Sequence, residues 1–150
     1  MAKNNDLNLT DIFSYISENQ YVYFTTTQEL QPRVRTMVLF YYKGRFFFIT
    51  FTNDAKVVQI RNNKLCEVLL PIKDELGNLG HIKMSGRAKI CTDPNDRQDA
   101  EYYCYFFDQL YEGVDDPDFC LIELDFDSYE YVKPGETHSV RIHSDFGIRK

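Results

Sequence analysis

Two runs of strand-forming residues, Val34–Tyr42 and Phe46–Thr52, flank Lys43-Gly44. β-Branched and aromatic side chains suit a pleated surface, and a short Gly-containing connection between such runs closes a hairpin. The second run leads directly into a short helix. Asn53 or Asp54 can cap it, and Val57, Val58 and Ile60 supply its apolar residues. Arg33, Arg35, Thr50 and Lys56 therefore fall where strands end and a helix begins. A helix N-terminus offers free N–H groups and a partial positive charge, and Arg or Lys adds charge-assisted donors, so such a place can hold a phosphate. A surface hairpin with solvated basic residues satisfies the same spacing. Both readings stay open on these residues alone.

Composition narrows the class. A chain of 150 residues with 43% hydrophobic content is expected to form one domain spanning 1–150, with a real core. The net charge of −6 argues against a nucleic-acid binder that relies on phosphate neutralisation. No apolar run is long enough for a membrane span and no signal-like segment follows Met1, so a cytoplasmic protein is expected. Cys66, Cys91, Cys104 and Cys120 are scattered, with no C-x-x-C and no paired His spacing. Neither a metal site nor a disulfide framework is indicated.

The rest of the chain reads mainly as strands. Leu9, Ile12, Phe13 and Ile16 share one helical face within residues 8–18. Tyr21–Thr27 reads as a first strand, Cys66–Ile72 as a buried one, and His81–Thr92 as another carrying Gly86, a bulge or close-approach point. Asp93-Pro94-Asn95-Asp96 opens a helix expected to reach about Tyr111 and to be the longest. Phe119–Phe126 and Tyr129–Lys133 close the series as two strands. About six strands joined as neighbours predict a mainly β, α+β fold: an antiparallel barrel with flanking helices.

The run F-I-T-F-T-N-D-A-K-V-V-Q-I-R-N-N, preceded by an arginine-bearing strand, resembles the pyridoxamine 5′-phosphate oxidase-like family of FMN-binding split barrels. The family pattern is an Arg-containing strand, a hairpin, then Thr-x-x-x-Ser-x-Lys-x-x-Gln-x-x-x-Asn. Arg35, Thr50, Lys56, Gln59 and Asn63 fall at the matching positions. H-I-K-M-S-G-R-A-K-I and P-D-F-C-L-I-E-L-D-F-D-S-Y-E-Y-V resemble later landmarks in the same order, so the likeness runs from about Tyr21 to Val132.

The resemblance implies a six-stranded antiparallel split barrel that binds FMN between two copies of a homodimer. Arg35 and Lys56 would hold the FMN phosphate, Thr50 would add a hydroxyl beside Ile49, and Thr36, Met37 and Val38 would run along the flavin ring. Gln59 would face the same pocket, and His81 falls where the family's oxidases place a Gln from the partner chain. Asp54 stands where the family often has Ser, and Ala55 where the oxidase has a basic residue. A carboxylate beside a phosphate is unfavourable, so Asp54 is expected to cap the helix through its backbone and point away, with phosphate neutralisation weaker than in the true oxidases.

The tail limits the likeness. Val140-Arg141-Ile142-His143-Ser144-Asp145-Phe146 looks similar to the oxidases' substrate-contacting Arg-x-His-Asp-Arg, with Asp145 in place of the final Arg. Val132 replaces a Trp, and Phe40 occupies the position of the substrate lysine. Pro134–Ser139 and the compact size look similar instead to nitroimidazole-resistance proteins and other small FMN reductases. The resemblance thus implies an FMN oxidoreductase acting on a small organic acceptor, a nitro compound or quinone, with NADH or NADPH as donor. A flavin binder with a stress or storage role and a haem-binding module of the same fold are the alternatives. No catalytic residue is legible. The aromatic run Tyr102–Phe107 offers a wall for the flavin, with Tyr103 and Phe106 expected in the core instead.

Overall fold

A computed structural model describes residues 2–143, with side chains described from Asn8 onward. The chain runs α1 (Ala2–Ser14), β1 (Asn19–Gln28), β2 (Gln31–Tyr42), β3 (Arg45–Phe51), α2 (Ala55–Asn62), β4 (Leu65–Lys73) and β5 (Leu79–Cys91). It continues through α3 (Pro94–Tyr103), α4 (Phe107–Leu110), β6 (Phe119–Val132) and β7 (Val140–His143). The strands form one antiparallel sheet in the order β3-β2-β1-β4-β5-β6-β7, and a further β3–β6 pairing closes it. Six strands make the ring, as the sequence leads one to expect. The seventh, β7, was not expected; it is a short addition beside the second half of β6.

The closure is uneven, which is what splits the barrel. β2 pairs with β1 along Gln31–Phe40 but with β3 only through Phe40, Tyr41 and Tyr42. The β2–β3 turn takes positive φ at both Lys43 (50°) and Gly44 (75°), the two-residue geometry that matches strand twist and that glycine accommodates. Beyond it the two strands part, and the rest of β3 pairs with Phe119–Leu124 of β6. β3 is consequently apolar on both faces. Phe46 and Phe48 enter the barrel interior, whereas Phe47 and Ile49 join an outer cluster with Ala100, Phe107 and Leu121 beneath α3 and α4.

Several boundaries differ from the sequence reading for local reasons. Phe119–Val132 is one strand, not two, because pairing with β5 steps from Ser85↔Ser128 to Gly86↔Phe126. Asp127 is the extra residue of a bulge, and the shift lets Phe126 and Tyr129, three apart, both be buried. The helix expected from Asp93 to Tyr111 breaks at Cys104, whose backbone is extended (φ −87°, ψ 104°). The break separates α3 from the short α4, in an aromatic stretch of modest helix propensity. Tyr103 and Phe106 pack against the outer cluster as expected, and Tyr102 and Tyr105 are exposed. α1 ends at Ser14, earlier than its apolar spacing suggests. The near-continuous apolar run Cys66–Ile72 predicts a buried strand, and β4 is buried on one face: Cys66, Val68, Leu70 and Ile72 point inward while Leu65 and Pro71 are exposed. Among the described residues, no helix is long and apolar enough to cross a membrane.

Arg45 fastens α3 to the barrel. Its guanidinium donates to both Asp96 oxygens (2.7 and 2.8 Å) and to Glu123 (2.7 Å). The Arg45 hydrogen bonds hold the Asp96 carboxyl below its ordinary value, outweighing the upward pull of burial. A carboxyl depressed in the folded state adds stability above its unfolded value of 3.8 and loses it as the pH falls through the folded value. Asp96→Asn is therefore expected to lower stability at neutral pH and flatten its decline below about pH 4. Urea midpoints measured from pH 7 to pH 3 check this. Parallel curves for the two proteins would remove Asp96 from the acid response.

Candidate functional site

The end of β3 and the start of α2 form one polar corner. Thr50 is the penultimate residue of β3, opposite Cys120 on β6. Asp54 is the N-cap of α2, and its carbonyl accepts from the Val57 N–H (3.0 Å). The Asp54 side chain gives no cap bond to the helix. It turns back and accepts from the Thr50 hydroxyl, from Lys56 Nζ (2.8 Å) and from the Phe51 N–H (3.3 Å). Lys56 Nζ also donates to Thr50 Oγ1 (2.8 Å). Lysine, threonine and aspartate thus close a small ring of hydrogen bonds. The backbone part of the expectation for Asp54 holds, but its carboxylate does not point away. The ammonium and hydroxyl are stronger partners than the helix N–H groups, and they draw it in. Burial pulls the Asp54 carboxyl up; hydrogen bonds from Lys56 and Thr50, with the Lys56 charge, outweigh it and hold the group below its ordinary range.

One turn further along α2, Gln59 is buried and meets a second cation. Arg35, opposite Phe24 in the β1–β2 ladder, donates to Thr26 Oγ1 (2.8 Å), to Gln59 Oε1 (2.9 Å) and to the Phe24 carbonyl (3.3 Å). Its guanidinium lies 5.6 Å from the Phe24 ring centroid. The hydroxyl of Thr26, also buried, donates to Gln59 Oε1 at 2.5 Å. The structure therefore brings Arg35 to Gln59, and Thr50 to Asp54 and Lys56, with α2 carrying a member of each group. Thr26 went unnoticed in the sequence. Its signal was available, since Val22, Phe24 and Thr26 alternate on one face of β1 and a hydroxyl there needs a partner.

The other expected residues are placed as follows. Thr36, Met37 and Val38 lie on β2 opposite Tyr23, Val22 and Tyr21, with Thr36 exposed and the others half-buried. Ile49 is buried in the outer cluster, and Ala55 is exposed at the first turn of α2. His81 is half-buried on β5 between Pro71 and Val132, on a different strand from every member of the polar corner. Phe40 is buried against the rings of Tyr103 (5.3 Å) and Phe106 (5.8 Å), where it offers nothing to a phosphate. Arg141 and His143 are exposed on β7, Arg141 paired with Glu130 at 3.0 Å. Asp145 and Phe146 lie outside the described residues.

The thiols offer little chemistry. All four cysteines are free and buried, and burial pushes Cys66 up to about 12 and Cys104 up to about 11. Thiols held protonated in this way are poor nucleophiles. Among the described residues, no group of three or more His, Cys, Asp or Glu is placed to hold a metal ion.

The closed sheet and the order of its elements have a counterpart among known proteins. A family model described as pyridoxamine 5′-phosphate oxidase matches residues 11–133. The chain belongs to this family. Solved structures of the same fold include general stress protein 26 from Bacillus anthracis, with a TM-score of 0.69 and 21% identity, covering 89% of this chain and 97% of that one. A NimC/NimA family protein from Clostridium acetobutylicum has a TM-score of 0.70 and 18% identity, covering 91% and 93%. A protein from Mesorhizobium loti described as FAD-binding has a TM-score of 0.64 and 12% identity, covering 91% of each chain. At these identities the likeness is one of fold. Among curated protein sequences, no significant match was found.

As an anion site, the corner of this family member has a built-in test. Thr50, Lys56 and the Phe51 N–H already converge on the Asp54 carboxylate. The donor set therefore suits an anionic oxygen of the kind a phosphate presents.

Proposed function

We propose that this chain is an FMN-binding flavoprotein, an oxidoreductase that reduces a small organic acceptor such as a nitro compound or a quinone. The observation that carries the reading is the convergence of Thr50, Lys56 and the Phe51 N–H on one anion, the Asp54 carboxylate, at the start of α2. Family membership and a solved relative described as FAD-binding support a flavin. Bound FMN would supply the redox chemistry through its ring, and the protein supplies position and electrostatics. Lys56 and Thr50 would hold the phosphate, with Arg35 as the second cation and Gln59 orienting it. Thr36, Met37 and Val38 would flank the ring.

A homodimer is part of the proposal, with NADH or NADPH as the electron donor. Tyr21 (74% exposed), Tyr23 (44%) and Val34 (66%) leave an apolar face on β1 and β2, in register with Val38, Thr36 and Thr25. A second copy seated there would cover it and bring His81 of one chain toward the flavin of the other. Purified protein is expected to show oxidised-flavin absorption bands that bleach on addition of NADH or NADPH and return with a nitro compound or quinone. Flavin bands that neither reductant bleaches would leave a binder rather than an enzyme. A Soret band, or a colourless protein that takes up no FMN, would overturn the reading.

A further inference from the structure

We infer that Asp54 is a specificity-determining residue: an internal anion seated in the phosphate subsite, which makes the protein a weak discriminator between FMN and phosphate-free riboflavin. The inference rests on the flavin reading above. An N-cap aspartate normally turns its carboxylate toward the N–H groups of the first helical turn. Here the cap to Val57 comes from the backbone carbonyl, and the carboxylate is free to occupy the Lys56–Thr50 donors instead. These are the groups proposed to take the FMN phosphate.

The balance of charge gives the direction. Arg35 and Lys56 supply two positive charges, and Asp54 cancels one of them; a phosphate monoester carries about −1.5 to −2 at pH 7. FMN must therefore displace the carboxylate from Lys56 and Thr50 and hold its phosphate beside it. Riboflavin leaves that ring of hydrogen bonds intact. The phosphate is all that distinguishes FMN from riboflavin, and in this chain it adds little affinity. Asp54→Asn removes the competing charge without removing Lys56, Thr50 or the backbone cap.

The test is a fluorescence titration of the full-length protein, freed of flavin, with FMN and with riboflavin. Wild type, Asp54→Asn and Asp54→Ser are compared, and thermal melts report that each is folded; serine retains a capping hydroxyl should the amide disturb the turn. Wild type is expected to bind the two flavins within about tenfold of each other. Both variants should bind FMN about tenfold to a hundredfold more tightly, the effect of one additional charge-assisted hydrogen bond to the phosphate. Riboflavin affinity should not move. Unchanged FMN affinity in both variants, or equal increases for both flavins, would overturn the role of Asp54 while leaving the flavin reading standing. Failure of wild type and variants to bind either flavin would overturn both.

Discussion

Replacing Gly86 with alanine is expected to destabilise the protein by about 3 kcal/mol or more, since the strain of overpacking falls on backbone that cannot move aside. Gly86 is buried in β5 between Cys66 of β4 and Phe126 of β6. A Cβ there would stand 2.0 Å from the Asp125 carbonyl oxygen and 2.7 Å from Phe126 Cα. Relief would require parting β5 from β6, where the bulge at Asp127 re-registers the ladder that holds the barrel together. Gly77 provides the control. It has a positive φ of 83° but nothing within 4 Å of an added Cβ, so Gly77→Ala should cost only about 1–2 kcal/mol, the left-handed backbone penalty. Urea unfolding of both variants checks the contrast. Equal losses at the two sites would show that close approach at Gly86 is not what the barrel depends on.

Gly86 also marks how far the sequence could be read. A glycine inside a strand pattern signals a bulge or a close approach, and here it accompanies both, though the extra residue lies on the neighbouring strand. What one strand's pattern could not disclose was the response of β6. Asp127-Ser128 looks like a turn when read alone; pairing with β5 makes it a bulge inside one long strand. β7 escaped for a related reason: four residues, Val140–His143, have no period of their own and are strand only because the second half of β6 offers an edge. The helix break at Cys104 likewise answers to packing, since Tyr103, Phe106 and Phe107 all reach the same outer cluster.

The polar corner was legible in its members more than in its connections. Arg35, Thr50, Lys56 and Gln59 were visible from spacing and resemblance, and the structure joins them in two groups along α2. Asp54 was visible as an N-cap, but the direction of its side chain depends on competition between the helix N–H groups and a nearby ammonium, which spacing does not encode. For Thr26 the strand pattern signals a buried hydroxyl but not its partners, Arg35 and Gln59, which come from a neighbouring strand and from a helix 33 residues away in sequence.

Lys56→Met and Arg35→Met should separate phosphate recognition from the architecture beneath it. Lys56 bonds to Thr50 and Asp54, at the partly exposed mouth of the corner, with Asp54 a third exposed. Lys56 itself is only 15% exposed, so its loss should cost about 1–2 kcal/mol of stability, somewhat more than an accessible ion pair. FMN affinity should fall about tenfold to a hundredfold for the charge-assisted hydrogen bond removed, with riboflavin unaffected. Arg35 is different, because it also donates to two buried oxygens, Thr26 Oγ1 and Gln59 Oε1. Arg35→Met keeps the apolar stem but strips both acceptors of a charged donor, so stability should fall by about 2–3 kcal/mol together with FMN affinity. Asp54 supplies the internal check. With Lys56 gone, the Asp54 carboxylate faces the phosphate uncompensated, so Lys56→Met combined with Asp54→Asn should recover much of the affinity that Lys56→Met loses. The two positions are in contact and should be non-additive. Arg35→Met with Asp54→Asn should recover affinity but not stability. FMN affinity untouched by Lys56→Met, measured on protein shown to be folded, would place the phosphate away from the start of α2.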